Sequence, residues 1–445
     1  MFMHKSKKGF TIVELVIVIA VIAILAAVLI PTFSNLVKKA NIAADTQLAK
    51  NLNTALTAAN AESKVEDFND VISAMRDAGF IIANINPTTE GWYYVWESES
   101  NQILLVDSDS AFAVKYNSKP LNNATPGSTW NFVVSSNAKK DTLSTKLGAA
   151  ASNVNIQVAL ASVADLSAAL AAGGEIFVDE SVVLDKENLL VFNNSEKEIT
   201  VNLGDSALNT SGILRGEANG IIPVEVKQGT VNFNGGVIST AGENLNYHGQ
   251  TVAYALQTST GTTSNFDGTT FDLATTQSQI RIFGEATLKN VTINATKSGV
   301  ETRYNGQITL ENVTITADGG TEWYGACVWA CNFDSKKESG EQDSNKLHNG
   351  SALITIKSGN YTSTNVNQGY GSITACGGDI VIEGGTFTAP TGKMFDVSNG
   401  SEIKITGGTF NTKAFEKNSD SFCAYLNTLI ADGTATKTAD GYIIK

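Results

Sequence analysis

The chain has 445 residues, 42% of them hydrophobic and 17% charged, with a formal net charge of −13. That length calls for two or more domains, and that apolar share is enough to give each of them a core. The acids are spread along the chain, which argues against nucleic acid as the main partner of the bulk of the protein, because phosphate binding needs a basic patch. Gly is abundant, and Thr and Asn are frequent, the composition of an exported β-rich protein rather than a helical enzyme.

Residues 1–9 form a short basic leader, with Lys5, Lys7 and Lys8 before Gly9. Phe10 then opens an apolar run to Ile30 in which Glu14 is the one charged residue. About 20 such residues span a bilayer as a helix. An ionised group in that environment is costly and usually marks function. Glu14 lies near the start of the run, where the interface offers relief, and a free amine created by cutting between Gly9 and Phe10 would relieve it further. Beyond Pro31, where a proline removes a backbone bond and favours a bend, Leu36, Val37, Ala40, Ala44, Leu48, Leu52 and Leu56 keep one apolar stripe at helical spacing. One helix is therefore expected from Phe10 to about Asn60, roughly 75 Å long, half suited to lipid and half to packing under a head.

The stretch Lys7-Lys8-Gly9-Phe10-Thr11-Ile12-Val13-Glu14-Leu15 closely resembles the type III signal of type IV pilins and pseudopilins. In that family a membrane prepilin peptidase cuts after the glycine and N-methylates the new first residue, and a glutamate sets register during filament assembly. The resemblance assigns these roles to Gly9, Phe10 and Glu14, and the helix-kinking proline to Pro31. It implies other pilin subunits as partners, lipid before assembly, a single-pass precursor in the cytoplasmic membrane and then a surface filament. It covers residues 1–60 and, more loosely, the segment to residue 150. An ordinary secretory signal fits less well, since its apolar core is about 7–15 residues long.

Val65 to Ala78 reads as a short second helix with Phe68, Val71, Ile72 and Met75 on one side and Gly79 as its stop. Trp92–Trp96, Gln102–Val106 and Ala111–Tyr116 read as strands, the first two joined by a polar turn. The Trp and Tyr cluster is assigned to packing on the long helix. Asn117 to Lys140, with Pro120, Pro126 and Gly127, reads as loop, and a domain boundary is placed near residue 150. Ser162-Val163-Ala164-Asp165 starts a helix with Leu166 and Leu170 inward, and Glu175–Leu184 follows as one alternating strand.

The second half repeats. Thr287–Ile293 (TLKNVTI) returns as Thr309–Ile315 (TLENVTI), 22 residues on. Asp379–Phe387 returns as Glu402–Phe410, 23 residues on. Weaker copies start at Val231 and Leu353. A period near 22 made of short alternating strands fits one coil of a parallel β-helix, at about 3.3 Å per strand residue. A propeller, whose blade takes about 40–50 residues, is the lesser alternative. Asp334–Gly350 reads as a surface loop off one coil, and Ser421–Ile430 with Thr434–Ile444 as a closing helix and hairpin that cap the far end.

The expected fold is thus an α+β pilin-like part, a long helix plus a small antiparallel sheet, followed by an all-β right-handed parallel β-helix. Its divisions are leader 1–9, helix 10–60 with 10–30 membrane-spanning, head 61–150, and capped β-helix 151–445. No nucleophile elbow, phosphate loop or metal-ligand motif occurs, so no catalytic residue, metal or cofactor is assigned. Asp379 over Glu402 is the one clear stack of acids between aligned coils, the arrangement a glycosidase would need. Lys289 over Glu311 reads as a surface charge ladder. Asn209, Asn290, Asn312 and Asn360 open Asn-x-Ser/Thr triplets that carry no glycosylation assignment. Cys327, Cys331, Cys376 and Cys423 are candidates for disulfides or buried thiols; Cys327-x-x-x-Cys331 does not fit zinc spacing, and His248 and His348 are the two histidines left after the leader. The expected function is a pilin-like filament subunit whose outward β-helix binds a surface, glycan or partner. The alternatives are a pseudopilin of a secretion or DNA-uptake machine, and a membrane-anchored polysaccharide-active enzyme.

Overall fold

The computed structural model describes residues 12–445 apart from 63, 83–84, 117–124, 161–162, 179–180, 185–188, 212–221, 242–245, 248–249, 252, 274–277, 297, 319–324, 332–350, 365–370, 390–392 and 412–419. The chain divides into two compact units, Met1–Val133 with Thr142–Ile156, and Val134–Asp141 with Gln157–Lys445.

The first unit is built on α1, Ile12–Glu62, which runs through Pro31 without interruption. Its first three-fifths bury almost nothing. Then Asp45, Ala49, Leu52 and Leu56 go inward at steps of four, three and four residues, the spacing that lines one helix face. Asp45 is a charge in that seam, and its carboxylate accepts four hydrogen bonds. They come from the N–H and O–H of Thr88 (both 2.8 Å) and of Thr89 (2.9 and 2.5 Å). The Tyr94 hydroxyl donates to the Asp45 carbonyl at 2.8 Å. About two turns on, the Asn53 amide donates to the Ile103 carbonyl and accepts from the Ile103 N–H, as a neighbouring strand would.

Four antiparallel strands pack on this seam: β1 Trp92–Glu97, β2 Gln102–Asp107, β3 Ala113–Tyr116 and β4 Trp130–Val134, in the order β3-β2-β1-β4. The helix α2, Phe68–Asp77, is shorter than expected because a capping box of Asp67 and Asp70 fixes its start. Phe68 stacks on Trp96 with centroids 5.9 Å apart, so Trp96 packs on α2, while Tyr94 of the same cluster reaches the long helix, as expected, through the Asp45 carbonyl. The expected loop 117–140 is corrected at its end. Trp130–Val134 is strand β4, and Asn137–Leu147 is a helix, α3. Proline and glycine just upstream masked a run whose apolar residues are claimed by the sheet.

The second unit opens with Asn155–Leu160, α4 (Val163–Ala172) and Gly174–Val178, a strand–helix–strand crossover with the strands parallel. The one strand expected at 175–184 is two, Gly174–Val178 and Val182–Leu184. Coils of three strands follow. One coil is Ser278–Ile282, Glu285–Lys289 and Thr292–Ala295; the next is Val300–Thr302, Gln307–Glu311 and Val313–Ala317, each strand parallel to and in register with the one a coil earlier. The ladder continues through the third strands Gly359–Ser363, Thr386–Thr388 and Gly408–Asn411. This is a parallel β-helix, and the propeller alternative falls, since blades would pair their strands antiparallel.

Inward side chains stack coil on coil. The third-strand row is Phe271, Ile293, Ile315, Tyr361, Phe387 and Phe410. Its last three rings stack at 4.9 and 4.8 Å. The corner between second and third strands needs a left-handed residue. Asn290 and Asn312 fill it at φ 53°, and their side-chain amides form a ladder, Asn312 to Asn290 at 2.8 Å and Asn290 to Asp267 at 2.9 Å. One coil later Ser358 stands at this corner and its hydroxyl accepts the Asn312 N–H at 2.8 Å; the next residue, Gly359, pairs with Val313 at φ +125°, where a Cβ would come within 2.0 Å of the Val313 carbonyl oxygen. At the end, α5 (Asp420–Ala431) places the Tyr425 hydroxyl on the backbone of Ile405. Gly441–Ile444 pairs antiparallel with Gly408–Asn411, which occupies an otherwise open strand edge. The insertion Asp334–Gly350 lies outside the described residues.

Candidate functional site

Two regions hold side chains that packing alone does not use: the exposed part of α1 and the outward faces of the β-helix. Along α1, the apolar residues from Ile12 to Val37 are exposed, with Ile12 at 81% and Phe33 at 69%. A soluble helix does not leave such a continuous apolar surface unless something else covers it. Among the described residues α1 is the one helix long and apolar enough to cross a bilayer. Glu14 sits in its first turn, where the positive end of the helix dipole favours a carboxylate. Gly9 and Phe10 lie outside the described residues. Pro31 sits mid-helix, and the Thr32 hydroxyl donates to the Val28 carbonyl at 2.8 Å beside it.

The acid pair Asp379 and Glu402 stacks as the repeat required, but as a turn device. The Asp379 carboxylate accepts the Glu402 N–H at 2.8 Å, and both side chains are exposed. Lys289 and Glu311 are register neighbours, and each has an ion pair with the coil on its other side, Lys289 with Asp267 at 3.9 Å and Glu311 with Lys357 at 3.7 Å. Asn290 and Asn312 are the corner residues above. The Ser239 hydroxyl donates to the Asn209 side chain, and Asn360 is exposed on a third strand.

Of the four cysteines offered as disulfides or buried thiols, Cys327, Cys331 and Cys376 are buried and unbridged among the described residues. They lie on or beside first strands, where the packing of the coil takes them in. Burial pushes the Cys327 thiol up to about 12, and the Ser372 hydroxyl rests against its sulfur at 3.4 Å. Burial also raises Cys376. The side chain of Cys423, and both His248 and His348, lie outside the described residues. Among the described residues no group of His, Cys, Asp and Glu is placed to hold a metal ion.

Sequence reading missed a charge cluster on the first strands. Arg281, Glu301 and Arg303 point away from the coil interior yet are 7%, 0% and 8% exposed. Both guanidiniums bond the Glu301 carboxylate, and Arg281 also lies over the Tyr254 ring, 3.5 Å from its centroid, and donates to the Tyr254 hydroxyl. Burial alone would raise Glu301, but the two guanidiniums outweigh it and hold the carboxyl below its usual range. A carboxylate so firmly ionised is poorly matched to general acid–base work, which wants a pKa near the working pH. The signal that could have found the cluster is the spacing of about 20 residues between Arg281 and Glu301, one coil.

The model of the prokaryotic N-terminal methylation motif matches residues 4–30. The type IV wide pilus major component PilA4 of Thermus thermophilus is 54% identical over 52 residues, 12% of this chain and 37% of that protein. This chain carries a type IV pilin-like prepilin motif. The match spans little more than a third of the relative, so the likeness concerns the N-terminal helix region. No solved structure matches the chain. The prepilin-like helix therefore adjoins a β-helix for which these comparisons supply no precedent.

Proposed function

We propose that this chain is a subunit of a type IV pilus-like surface filament, cut after Gly9 and N-methylated at Phe10 by a prepilin peptidase, with α1 in the filament core and the β-helix displayed outward for adhesion. The observation that carries this reading is the division of α1. Its apolar first part is left exposed among the described residues, and its second part is locked to the head through Asp45, Leu52, Asn53 and Leu56. A uniform membrane anchor needs no such rigid handover, whereas a subunit pulled into a filament by its helix does. Lipid would cover the exposed part first, and the same surfaces of neighbouring subunits afterwards, with Glu14 meeting the amine of a neighbouring Phe10. The relative's role as a major pilus component supports a structural rather than catalytic part, as do the solvated Asp379–Glu402 pair and the Glu301 carboxylate held between two guanidiniums. The test is purification of surface filaments followed by peptide mapping. The chain is expected in the filament fraction, and a Glu14→Ala variant is expected to stay in the membrane fraction. Recovery of the wild-type chain from the membrane alone would remove the filament reading.

A further inference from the structure

The outward faces of the second and third strands differ in a way that strand propensity does not explain. Over six consecutive coils the third strands present two ranks of outward side chains. One rank is Thr270, Thr292, Thr314, Asn360, Thr386 and Thr409; the other is Asp272, Asn294, Thr316, Thr362, Thr388 and Asn411. Every position is threonine or asparagine except Asp272, at the first coil, and none is buried. The second strands of the same coils have outward threonines too, Thr287, Thr309 and Thr355, but these are flanked by Glu285, Lys289, Glu311, Asp379 and Lys404, with Lys357 just past the strand Leu353–Ile356. Threonine favours strands for its branched side chain, but that preference would act on both faces alike. In a chain of net charge −13, one face has been kept almost free of charge.

Its geometry is regular. Strands one coil apart lie about 4.8 Å apart, so the ranks extend about 24 Å along the β-helix, and the two ranks stand about 6.6 Å apart across the strand. The inward rings of Phe271, Tyr361, Phe387 and Phe410 pin the same strands from behind, so the array is ordered before anything binds. Hydroxyls and amides both donate and accept, and the threonine methyls add shallow apolar ridges between them.

That chemistry selects the partner by elimination. Nucleic acid and anionic lipid need cations, and these ranks have none. A protein partner is held by aromatic and arginine anchors, which are also missing from the ranks. A neutral, hydroxyl-bearing, periodically ordered surface matches both the charge and the repeat. We propose that the third-strand face is a docking surface for an insoluble neutral polysaccharide, bound through many weak hydroxyl contacts in parallel. This deepens the adhesive part of the reading above and is independent of filament assembly, so it is tested on the unassembled chain.

The full chain in detergent micelles is mixed with microcrystalline cellulose and with chitin powder, and its depletion from solution is measured at low and high salt. Retention on at least one polymer, little changed by salt, is expected. Thr316→Lys with Thr362→Lys, at the centre of the array, should weaken retention at least about tenfold, because the loss spreads through a multivalent contact. Thr309→Lys with Thr355→Lys, on the adjacent second-strand face, should leave it within about twofold. These side chains are all solvent-facing, and circular dichroism of each variant checks the fold. Absence of retention on both polymers overturns the proposal, and so does equal loss in both double variants. Uptake of the chain into growing ice without retention on either polymer would likewise overturn it, by giving the array a different ordered hydroxyl surface.

Discussion

The exposed part of α1 and the coils of the β-helix solve the burial of apolar surface in opposite ways. Each coil is covered by the next: Ile293 by Ile315, Ile315 by Tyr361, Tyr361 by Phe387 and Phe387 by Phe410. The last coil is in turn paired by the strand Gly441–Ile444. Among the described residues, the apolar side chains of the helix from Ile12 to Val37 stay exposed. The described coils of the β-helix cover one another within one chain, and in the proposed reading the helix is half of a contact whose other half is another molecule. Substitutions should therefore fall into two classes, those that unfold the β-helix and leave the helix's membrane and filament behaviour intact, and those that do the reverse.

The largest effect on stability is expected inside the stack. Phe387→Ala removes a ring held between Tyr361 and Phe410 and should cost about 3–5 kcal/mol, read by denaturant unfolding of the β-helix. Maturation at the N-terminus should be unchanged. If processing is lost as well, the two regions are not independent. Next comes the junction of helix and head. Asp45→Ala leaves the N–H groups of Thr88 and Thr89 without their acceptor, a loss of about 1–3 kcal/mol for such groups, visible as faster amide exchange at 88–94. A change at exposed Lys39 should do nothing measurable there.

Smaller effects test the corner. Asn312→Ala puts a Cβ without a local hydrogen bond into the left-handed region, at a cost of about 1–2 kcal/mol, and Asn312→Gly should recover most of it in thermal unfolding. Least of all, Lys289→Ala breaks a long, half-exposed pair with Asp267 and should change stability by less than about 0.5 kcal/mol. A larger effect would mean that the surface ladders, and not the inward stack, hold the coils together.

These contrasts also explain what the sequence disclosed. The helix was legible because a single period runs through it and because Gly9, Phe10 and Glu14 form a compact motif. The second and third strands were legible because inward residues repeat at 22 and 23. The first strands were not, because they are short, as in Val300–Thr302, and because they bury charged residues, Arg281 and Glu301, that carry no apolar pattern. Strand β4 was hidden by the turn residues before it. The threonine ranks were visible only as composition. Their membership in one face depends on register, which in turn depends on corners such as those at Asn290 and Asn312.

The central claim, that α1 is made to leave lipid for a filament, is tested most directly at the chain's first residue. Intact-mass and N-terminal peptide mass spectrometry should be run on the protein from its native membrane and surface fractions. The account predicts a mature chain that begins at N-methylated Phe10 in both fractions. A chain that begins at Met1, or one cut beyond Ala26, would contradict it and leave α1 as an anchor or an export signal.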